Sequence, residues 1–146
     1  MEPRFWADQI DAHRLLMQVS NGRSTANYKN NQKIYNQGDA ADFVFFVQDG
    51  SVMLTTTSEH GFERSLGTAL KGQFFGEACL HDVPVRIASA TAIGDCRITA
   101  VTKGAMLSTI HGQPRFARMF INYLSDHNSW VEKHLLDHLL EPANAA

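Results

Sequence analysis

The sequence is short of several features that identify common protein classes. Of its 146 residues only two are cysteines, Cys79 and Cys96, and its formal net charge is −2. So few cysteines are typical of a protein with free, buried thiols and not of a disulfide scaffold. The small net charge gives no general attraction to nucleic acid or to anionic membranes. We therefore do not expect this chain by itself to bind DNA.

Long apolar segments and common catalytic motifs are also missing from the sequence. No stretch approaches the roughly 20 apolar residues that span a bilayer, and the N-terminus lacks the apolar core of a signal peptide. The sequence contains no Gly-x-Ser-x-Gly, no Walker-type Gly-Lys-Ser/Thr and no Gly-x-Gly-x-x-Gly. These absences predict a cytoplasmic protein that is not an enzyme and does not contact a membrane.

The chain does contain a series of short strands between two helical segments. Apolar residues at helical spacing predict an amphipathic helix over residues 4–19, ended by Asn21-Gly22. From Lys29 to Thr102, short β-branched and aromatic runs alternate with Gly, Asp and Asn, which predicts an antiparallel β-roll or jelly roll (double-stranded β-helix). The predicted strands are Lys33–Tyr35, Phe43–Val47, Ser51–Thr57, Glu63–Leu70, Ile87–Ile93 and Cys96–Val101, with a tight hairpin at Asp49-Gly50 and a break at Gly94-Asp95.

Helical spacing resumes near Lys103. A short helix is expected to break at Gly112 and Pro114, and a longer one to run from there to about Leu140. We expect the longer helix to form a homodimer. The fold class is thus mainly β with flanking helices: residues 1–24 form an N-terminal helix, 25–112 the β-roll and 113–141 the dimerisation helix of one compact domain. The expected interface residues are Ile121, Leu124, Asn128, Val131, Leu135 and His138.

One segment combines residues that suit a sugar phosphate. If Glu77 to Leu80 forms a helical turn, its free backbone N–H groups point towards an anion, and Gly76 lets a ligand approach the backbone closely. Arg86 supplies a permanent cation whose forked donors match phosphate oxygens. Glu77 can accept a hydrogen bond from a sugar hydroxyl. These residues alone also fit a turn with a surface salt bridge.

Several residues and short motifs, in their order along the chain, resemble the sequence pattern of the effector domain of the Crp/Fnr family of bacterial regulators. More broadly, they resemble the cyclic nucleotide-binding domain. They are Gly38, Phe46-x-x-x-Gly50-x-Val52, Gly72, Phe75-Gly76-Glu77 and Arg86-x-Ala88. The resemblance implies a phosphate-binding cassette in which Glu77 holds the ribose 2′-hydroxyl and Arg86 pairs with the cyclic phosphate. It implies cyclic AMP as the commonest effector, and no metal. The implied ligand-binding residues are Gly76, Glu77, Ala78, Cys79, Arg86, Ile87 and Val131.

The sequence departs from this family's pattern in three ways. Ile87 follows Arg86 where cyclic-AMP binders usually carry Ser or Thr, and Val131 and Glu132 stand where their long helix presents Thr and Ser to the purine. The anchor for the phosphate is retained, whereas recognition of the base is weakened. Family regulators also continue into a winged helix-turn-helix. This chain ends six residues past Leu140, so we expect DNA contact only through a module absent from it, whether it is a fragment or a stand-alone sensor.

Two other functions fit the pattern less well than a sensor that signals through its dimer helix. One is the same fold with a degenerate pocket, acting as a dimerisation module or sensing haem or redox state. The other is a cupin-like metal enzyme, for which His60-Gly61-Phe62-Glu63 is the nearest motif, without the required His-x-His pair. His134 and His138 lie at metal-binding spacing on the long helix, close to His127. We interpret these histidines as surface or interface residues.

Overall fold

The computed structural model describes residues 13–19, 21–81 and 83–127, and its centre is one antiparallel sheet. The strands are β1 (Arg23–Tyr28), β2 (Lys33–Tyr35), β3 (Phe43–Thr57), β4 (Glu63–Leu70), β5 (Phe74–Phe75) and β6 (Ser89–Thr102). A 3-10 helix (Glu77–His81) separates β5 from β6. The helices are α1 (residues 13–18), α2 (Lys103–Gly112) and α3 (Pro114–His127). The predicted fold class, mainly antiparallel β with flanking helices, is confirmed.

Two long strands, β3 and β6, form the middle of the sheet and pair with each other along most of their length. The first part of β3 also pairs with β5, and the rest pairs with β4. In the same way β6 pairs with β2 near its start and with β1 near its end. Each end of the central pair therefore carries its own flanking strands, and the whole sheet curls into a β-roll.

The prediction of a hairpin turn at Asp49-Gly50 is wrong. The strand β3 continues through this dipeptide, and residues on both sides of it pair with β6: Val47 with Ile98, and Ser51 with Ile93. The backbone of Gly50 has a φ of +86°, and a Cβ there would lie 2.6 Å from the carbonyl oxygen of Asp95. The glycine thus forms a bulge at which the two long strands bend together. For the same reason Gly94-Asp95 bends β6 and does not end it.

The apolar core is divided between the two faces of the sheet, as the alternation of side chains along β3 predicts. Val44 and Phe46 belong to a cluster shared with the helices, whereas Phe45 and Val47 belong to a cluster inside the roll. Phe43 lies on the same side of the alternation as Phe45 and Val47, but 39% of its surface is exposed. It begins β3 opposite Thr102, where β6 passes into α2, so few neighbours cover it.

The predicted break between the two C-terminal helices is confirmed, with α2 ending at Gly112 and α3 beginning at Pro114. The backbone N–H of Phe74 donates to the Tyr123 hydroxyl at 2.8 Å, which fixes α3 against β5. Both cysteines are free and buried, as predicted. None of the helices within the described ranges is long and apolar enough to cross a bilayer.

Some predictions lie outside the described residues. They concern the first part of the N-terminal helix, before residue 13, and the long C-terminal helix beyond His127. The expected interface residues Asn128, Val131, Leu135 and His138 belong to this second group, as does His134. Of the remaining interface residues, Ile121 is 61% exposed on α3.

Candidate functional site

A pocket lies between the inner side of the roll and the segment around the 3-10 helix. The space between its lining atoms is about 420 Å³, and part of that space is open to solvent. Of the residues predicted to bind ligand, all except Val131 line this pocket, and Val131 lies outside the described ranges. The lining residues that sequence reasoning missed are Tyr35, Ala41, Leu54, Leu66, Val85 and Ala88.

The turn between β5 and the 3-10 helix depends on Gly76. The predicted helical turn at Glu77 to Leu80 is confirmed as the 3-10 helix, and Gly76 enters it with a φ of +75°. A Cβ at Gly76 would lie 2.8 Å from Nη1 of Arg86 and 3.3 Å from Cδ2 of Phe45. Only glycine therefore allows the arginine to lie against the backbone at this point.

Arg86 is held in place by its own backbone. Its N–H donates to the carbonyl of Asp39 at 2.8 Å, and its carbonyl accepts from the N–H of Gly38 at the same distance. The neighbouring Val85 forms a bridge with Ala40. These contacts hold the segment that follows the 3-10 helix antiparallel to the turn at Gly38, so the arginine side chain starts from a fixed position.

The guanidinium group of Arg86 is buried, with only 5% of the residue exposed. Its Nη1 donates to the carbonyl of Gly76 at 2.9 Å, and its Nη2 donates to the carbonyl of Phe43 at 2.6 Å. The third nitrogen, Nε, is buried without a hydrogen-bond partner. The two carbonyls that accept from Arg86 are neutral and do not supply a counter-charge, so an anion in the pocket can pair with the guanidinium.

Glu77 places a second unsatisfied group in the same pocket. The residue is 2% exposed, and its Oε2 has no hydrogen-bond partner. Burial raises the pKa of Glu77 to about 7, although its own backbone N–H and the nearby Arg86 act in the opposite direction. Buried polar atoms almost always have partners in folded proteins. An unpaired acceptor and an unpaired donor in one pocket therefore indicate a place for a polar ligand.

The structure differs from the sequence-based expectation in how Arg86 uses its donors. The sequence predicts a guanidinium group whose donors are all available to a phosphate. In the structure, both of its terminal nitrogens already donate to backbone carbonyls. Of the five N–H groups of an arginine, those two bonds leave Nε–H and one hydrogen on each terminal nitrogen. Arg86 is therefore a cation fixed in the pocket wall, with part of its donor capacity still free.

Cys79 and Tyr35 complete the polar part of the pocket lining. The Cys79 thiol lies 3.6 Å from the carbonyl oxygen of Phe43, and burial raises the pKa of this thiol. Tyr35 ends β2, and its ring lies 4.2 Å from Cζ of Arg86. The Lys33-Ile34-Tyr35 strand was predicted, but its position beside Arg86 arises from pairing with β6, which the local sequence does not reveal.

Among the described residues, no group of three or more His, Cys, Asp or Glu side chains is placed to hold a metal ion. His60, considered for cupin chemistry, is exposed in the turn between β3 and β4.

A family model described as "Cyclic nucleotide-binding domain" matches residues 25–112. The cyclic AMP receptor protein of Thermus thermophilus is 34% identical over 90 residues, which cover 62% of this chain and 42% of that protein. The cAMP-dependent protein kinase type II regulatory subunit of Drosophila melanogaster is 33% identical over 78 residues, or 53% of this chain and 20% of that one. The chain spans less than half the length of either relative.

Solved structures with the same architecture include regulators of several bacteria. The catabolite activator protein of Thermus thermophilus has a TM-score of 0.69 at 28% identity, over 91% of this chain and 59% of the other. The sensor domain of the transcriptional regulator DNR from Pseudomonas aeruginosa has a TM-score of 0.70 at 20% identity, over 86% of this chain and 91% of the other. The c-di-GMP responsive regulator CLP of Xanthomonas campestris has a TM-score of 0.72 at 17% identity, over 90% and 63%. The last two show a shared fold.

Proposed function

Since this chain belongs to the cyclic nucleotide-binding domain family, we propose that it is a sensor that binds cyclic AMP and forms the effector part of a Crp/Fnr-type transcription regulator. One observation carries the proposal: the unpaired Nε of Arg86 and the unpaired Oε2 of Glu77 line the same pocket. The first is a donor with a positive charge, and the second is an acceptor. A cyclic nucleotide presents an anionic phosphate and a ribose hydroxyl, which complement these two groups.

In this proposal Arg86 holds the cyclic phosphate and Glu77 accepts a hydrogen bond from the ribose 2′-hydroxyl. A hydrogen bond to a charged group contributes about 1.5–3 kcal/mol. Arg86 is already fixed by its bonds to Gly76 and Phe43, so little side-chain entropy is lost when the ligand binds. The phosphate contact is therefore expected to supply the largest polar contribution to the affinity.

The choice of cyclic AMP is supported by the two curated relatives, whose names both refer to this nucleotide. Ile87 lines the pocket without a hydroxyl, where cyclic-AMP binders usually carry Ser or Thr. One neutral hydrogen bond contributes about 1 kcal/mol. We therefore expect an affinity several times weaker than that of a receptor with the hydroxyl.

We further propose that the protein signals and does not catalyse a reaction, and that it is cytoplasmic. Burial raises the pKa of the Cys79 thiol, which is the opposite of the activation that a nucleophilic cysteine needs. Both cysteines are free, as is usual in a reducing compartment.

We propose that α3 pairs with a second copy of the chain. Phe116, Phe120 and Tyr123 face the core of this domain, whereas Ile121 on the same helix is 61% exposed. A ligand can shift the pairing of two helices only through a difference in its affinity for the two arrangements. We propose that contact with DNA is made by a DNA-binding module and not by the residues of this domain.

A calorimetric titration with cyclic AMP, cyclic GMP and adenosine tests the ligand. We expect cyclic AMP to bind, and Arg86→Gln to weaken it at least tenfold, because one charge-assisted hydrogen bond is lost. Adenosine has no phosphate, so its weaker binding should not change in this variant. Arg97→Gln is the matched control, because Arg97 is exposed on β6. Absence of binding at millimolar nucleotide, or an equal loss in the control, would contradict the proposal.

A second candidate function is the same fold with a pocket for a different small anion. Two observations favour it: Ile87 has no donor, and both terminal nitrogens of Arg86 donate to backbone carbonyls. If neither nucleotide binds, thermal unfolding in the presence of inorganic phosphate and of simple carboxylates tests this alternative. A melting temperature that rises with one of these anions in wild type but not in Arg86→Gln would support it.

A further inference from the structure

We infer that Tyr35 is the positioning residue for Arg86: its ring holds the guanidinium group in the pocket wall and so sets the affinity for the phosphate of the ligand. The ligand in this statement rests on the proposed function. The contact between the two side chains does not, and it can be tested without any ligand.

The geometry is that of a cation over an aromatic ring. The Cζ atom of Arg86 lies 4.2 Å from the ring centroid of Tyr35 and 5.3 Å from that of Phe45. Both distances are within the roughly 6 Å at which a guanidinium is attracted to the face of a ring. Tyr35 is the nearer of the two and lines the pocket.

Tyr35 is itself well fixed. It pairs with Ala90 of β6, after a register shift that separates it from the pair formed by Lys33 and Thr91. Its ring centroid lies 5.5 Å from that of Phe45 and 6.2 Å from that of Phe75. A ring held by a strand and by two other rings gives the guanidinium a rigid surface on which to rest.

The ring supplies what the hydrogen bonds of Arg86 do not. The two carbonyl acceptors hold the terminal nitrogens, but neither provides a negative charge for the buried cation. Burial raises the pKa of Tyr35 well above its ordinary value, against the effect of Arg86, so the phenol is neutral and acts through its ring face. The attraction of a desolvated cation to such a face changes an equilibrium constant by about tenfold or more.

The consequence is that Tyr35 prepares Arg86 for an anion without touching the phosphate. Without the ring, the guanidinium would have more side-chain conformations to lose when a ligand binds. Besides Arg86, the titratable groups that act on Tyr35 are Glu77 and Cys79. Both oppose ionisation of Tyr35, and neither forms a hydrogen bond to Arg86.

Three variants test the inference through binding of cyclic AMP. Tyr35→Leu removes the ring, and we expect the affinity to fall about tenfold or more. Tyr35→Phe keeps the ring, and we expect it to bind like the wild type. Tyr28→Leu is the matched control: Tyr28 packs against the same inner cluster without a ring contact to Arg86. Binding of adenosine, which lacks the phosphate, should change less than binding of cyclic AMP in Tyr35→Leu. Equal losses in Tyr35→Leu and Tyr28→Leu, or an equal loss for both ligands, would overturn the inference.

A double-mutant cycle in unfolding tests the same contact when no ligand is present. Tyr35→Leu, Arg86→Met and the double variant are compared by urea denaturation. Because the two side chains interact, the effects of the two single changes should not be additive. The folding equilibrium constant of the double variant should differ about tenfold from the value that the single variants predict. Additive effects would overturn the inference, even if cyclic AMP binds. If the cycle shows coupling and no nucleotide binds, the proposed ligand fails while the role of Tyr35 stands.

Discussion

Glu77 is the pocket residue whose charge is most sensitive to pH near neutrality. Burial raises its pKa from 4.5 to about 7. Between these two values the folded chain holds the proton more tightly than the unfolded chain, so folding is favoured by protonation. The contribution of Glu77 to the free energy of unfolding is therefore greatest at low pH and is lost as the pH rises through about 7.

Because the pKa of Glu77 is raised in the folded chain, we predict that Glu77→Gln removes a pH dependence of stability. Between about pH 5 and pH 8 the wild type should lose up to about 3 kcal/mol relative to the variant. Urea denaturation at both pH values measures this difference. Glu63→Gln, at an exposed position of β4, should keep the wild-type dependence. Parallel pH curves for wild type and Glu77→Gln would contradict the assignment.

The residue scale also shows which parts of the site the sequence can predict. Gly76, Glu77 and Cys79 stand together in a local motif, so their place in the pocket follows from a single turn. The acceptor of Nη2 in Arg86 is the carbonyl of Phe43, which is 43 residues away in the chain. Pairing between distant strands creates that contact, and no local sequence pattern predicts it.

At the scale of elements, the turn between β5 and the 3-10 helix has the strictest steric requirement in the pocket. Gly72 and Gly76 both have positive φ, but only Gly76 has Arg86 where a Cβ would lie. Nothing lies within 4 Å of a Cβ at Gly72. The two positions therefore separate the conformational cost of an alanine from its effect on the arginine.

We predict that Gly72→Ala and Gly76→Ala both reduce stability, by about 1–2 kcal/mol for the left-handed backbone. Only Gly76→Ala should also displace the guanidinium. We therefore expect this variant to bind cyclic AMP at least tenfold more weakly. Denaturation and calorimetry on the two variants measure both quantities. If Gly76→Ala binds as tightly as Gly72→Ala, the guanidinium does not need its place against the backbone.

The sequence predicts the break between α2 and α3, but it does not predict strand β1 (Arg23–Tyr28) or the bend at which β3 and β6 stay paired. Gly112 and Pro114 separate α2 from α3, because proline cannot continue a helix at that point. Asp49-Gly50 has the composition of a hairpin turn, yet β3 passes through it. A bulge and a turn both need a glycine with positive φ, so composition alone does not distinguish them.

At the scale of the whole molecule, the sheet separates two cores with different roles. The cluster on the helix side joins β3 and β5 to α1, α2 and α3, and the cluster inside the roll lies next to the pocket. Phe45 belongs to the inner cluster, and its ring lies near Arg86. The next residue, Phe46, belongs to the outer one, so β3 is a direct connection between the ligand pocket and the helices.

We predict that the full chain is a dimer and that Ile121→Lys shifts it towards monomer. A charge at this exposed position of α3 would have to be buried in the helix pairing, which costs several kcal/mol. Sedimentation velocity over a range of concentrations measures the change. Phe62→Lys is the matched control, because Phe62 is 74% exposed in the β3–β4 turn. Equal behaviour of both variants would contradict pairing through α3.

The NMR resonance of the Arg86 Nε–H group, assigned by its absence from Arg86→Lys, tests the central claim most directly. This nitrogen is buried, and no protein atom accepts a hydrogen bond from it. If it receives the phosphate of a cyclic nucleotide, its resonance should move in a saturable way when cyclic AMP is added and stay in place with adenosine. A resonance that does not move at saturating cyclic AMP, or that moves equally with adenosine, would contradict the claim.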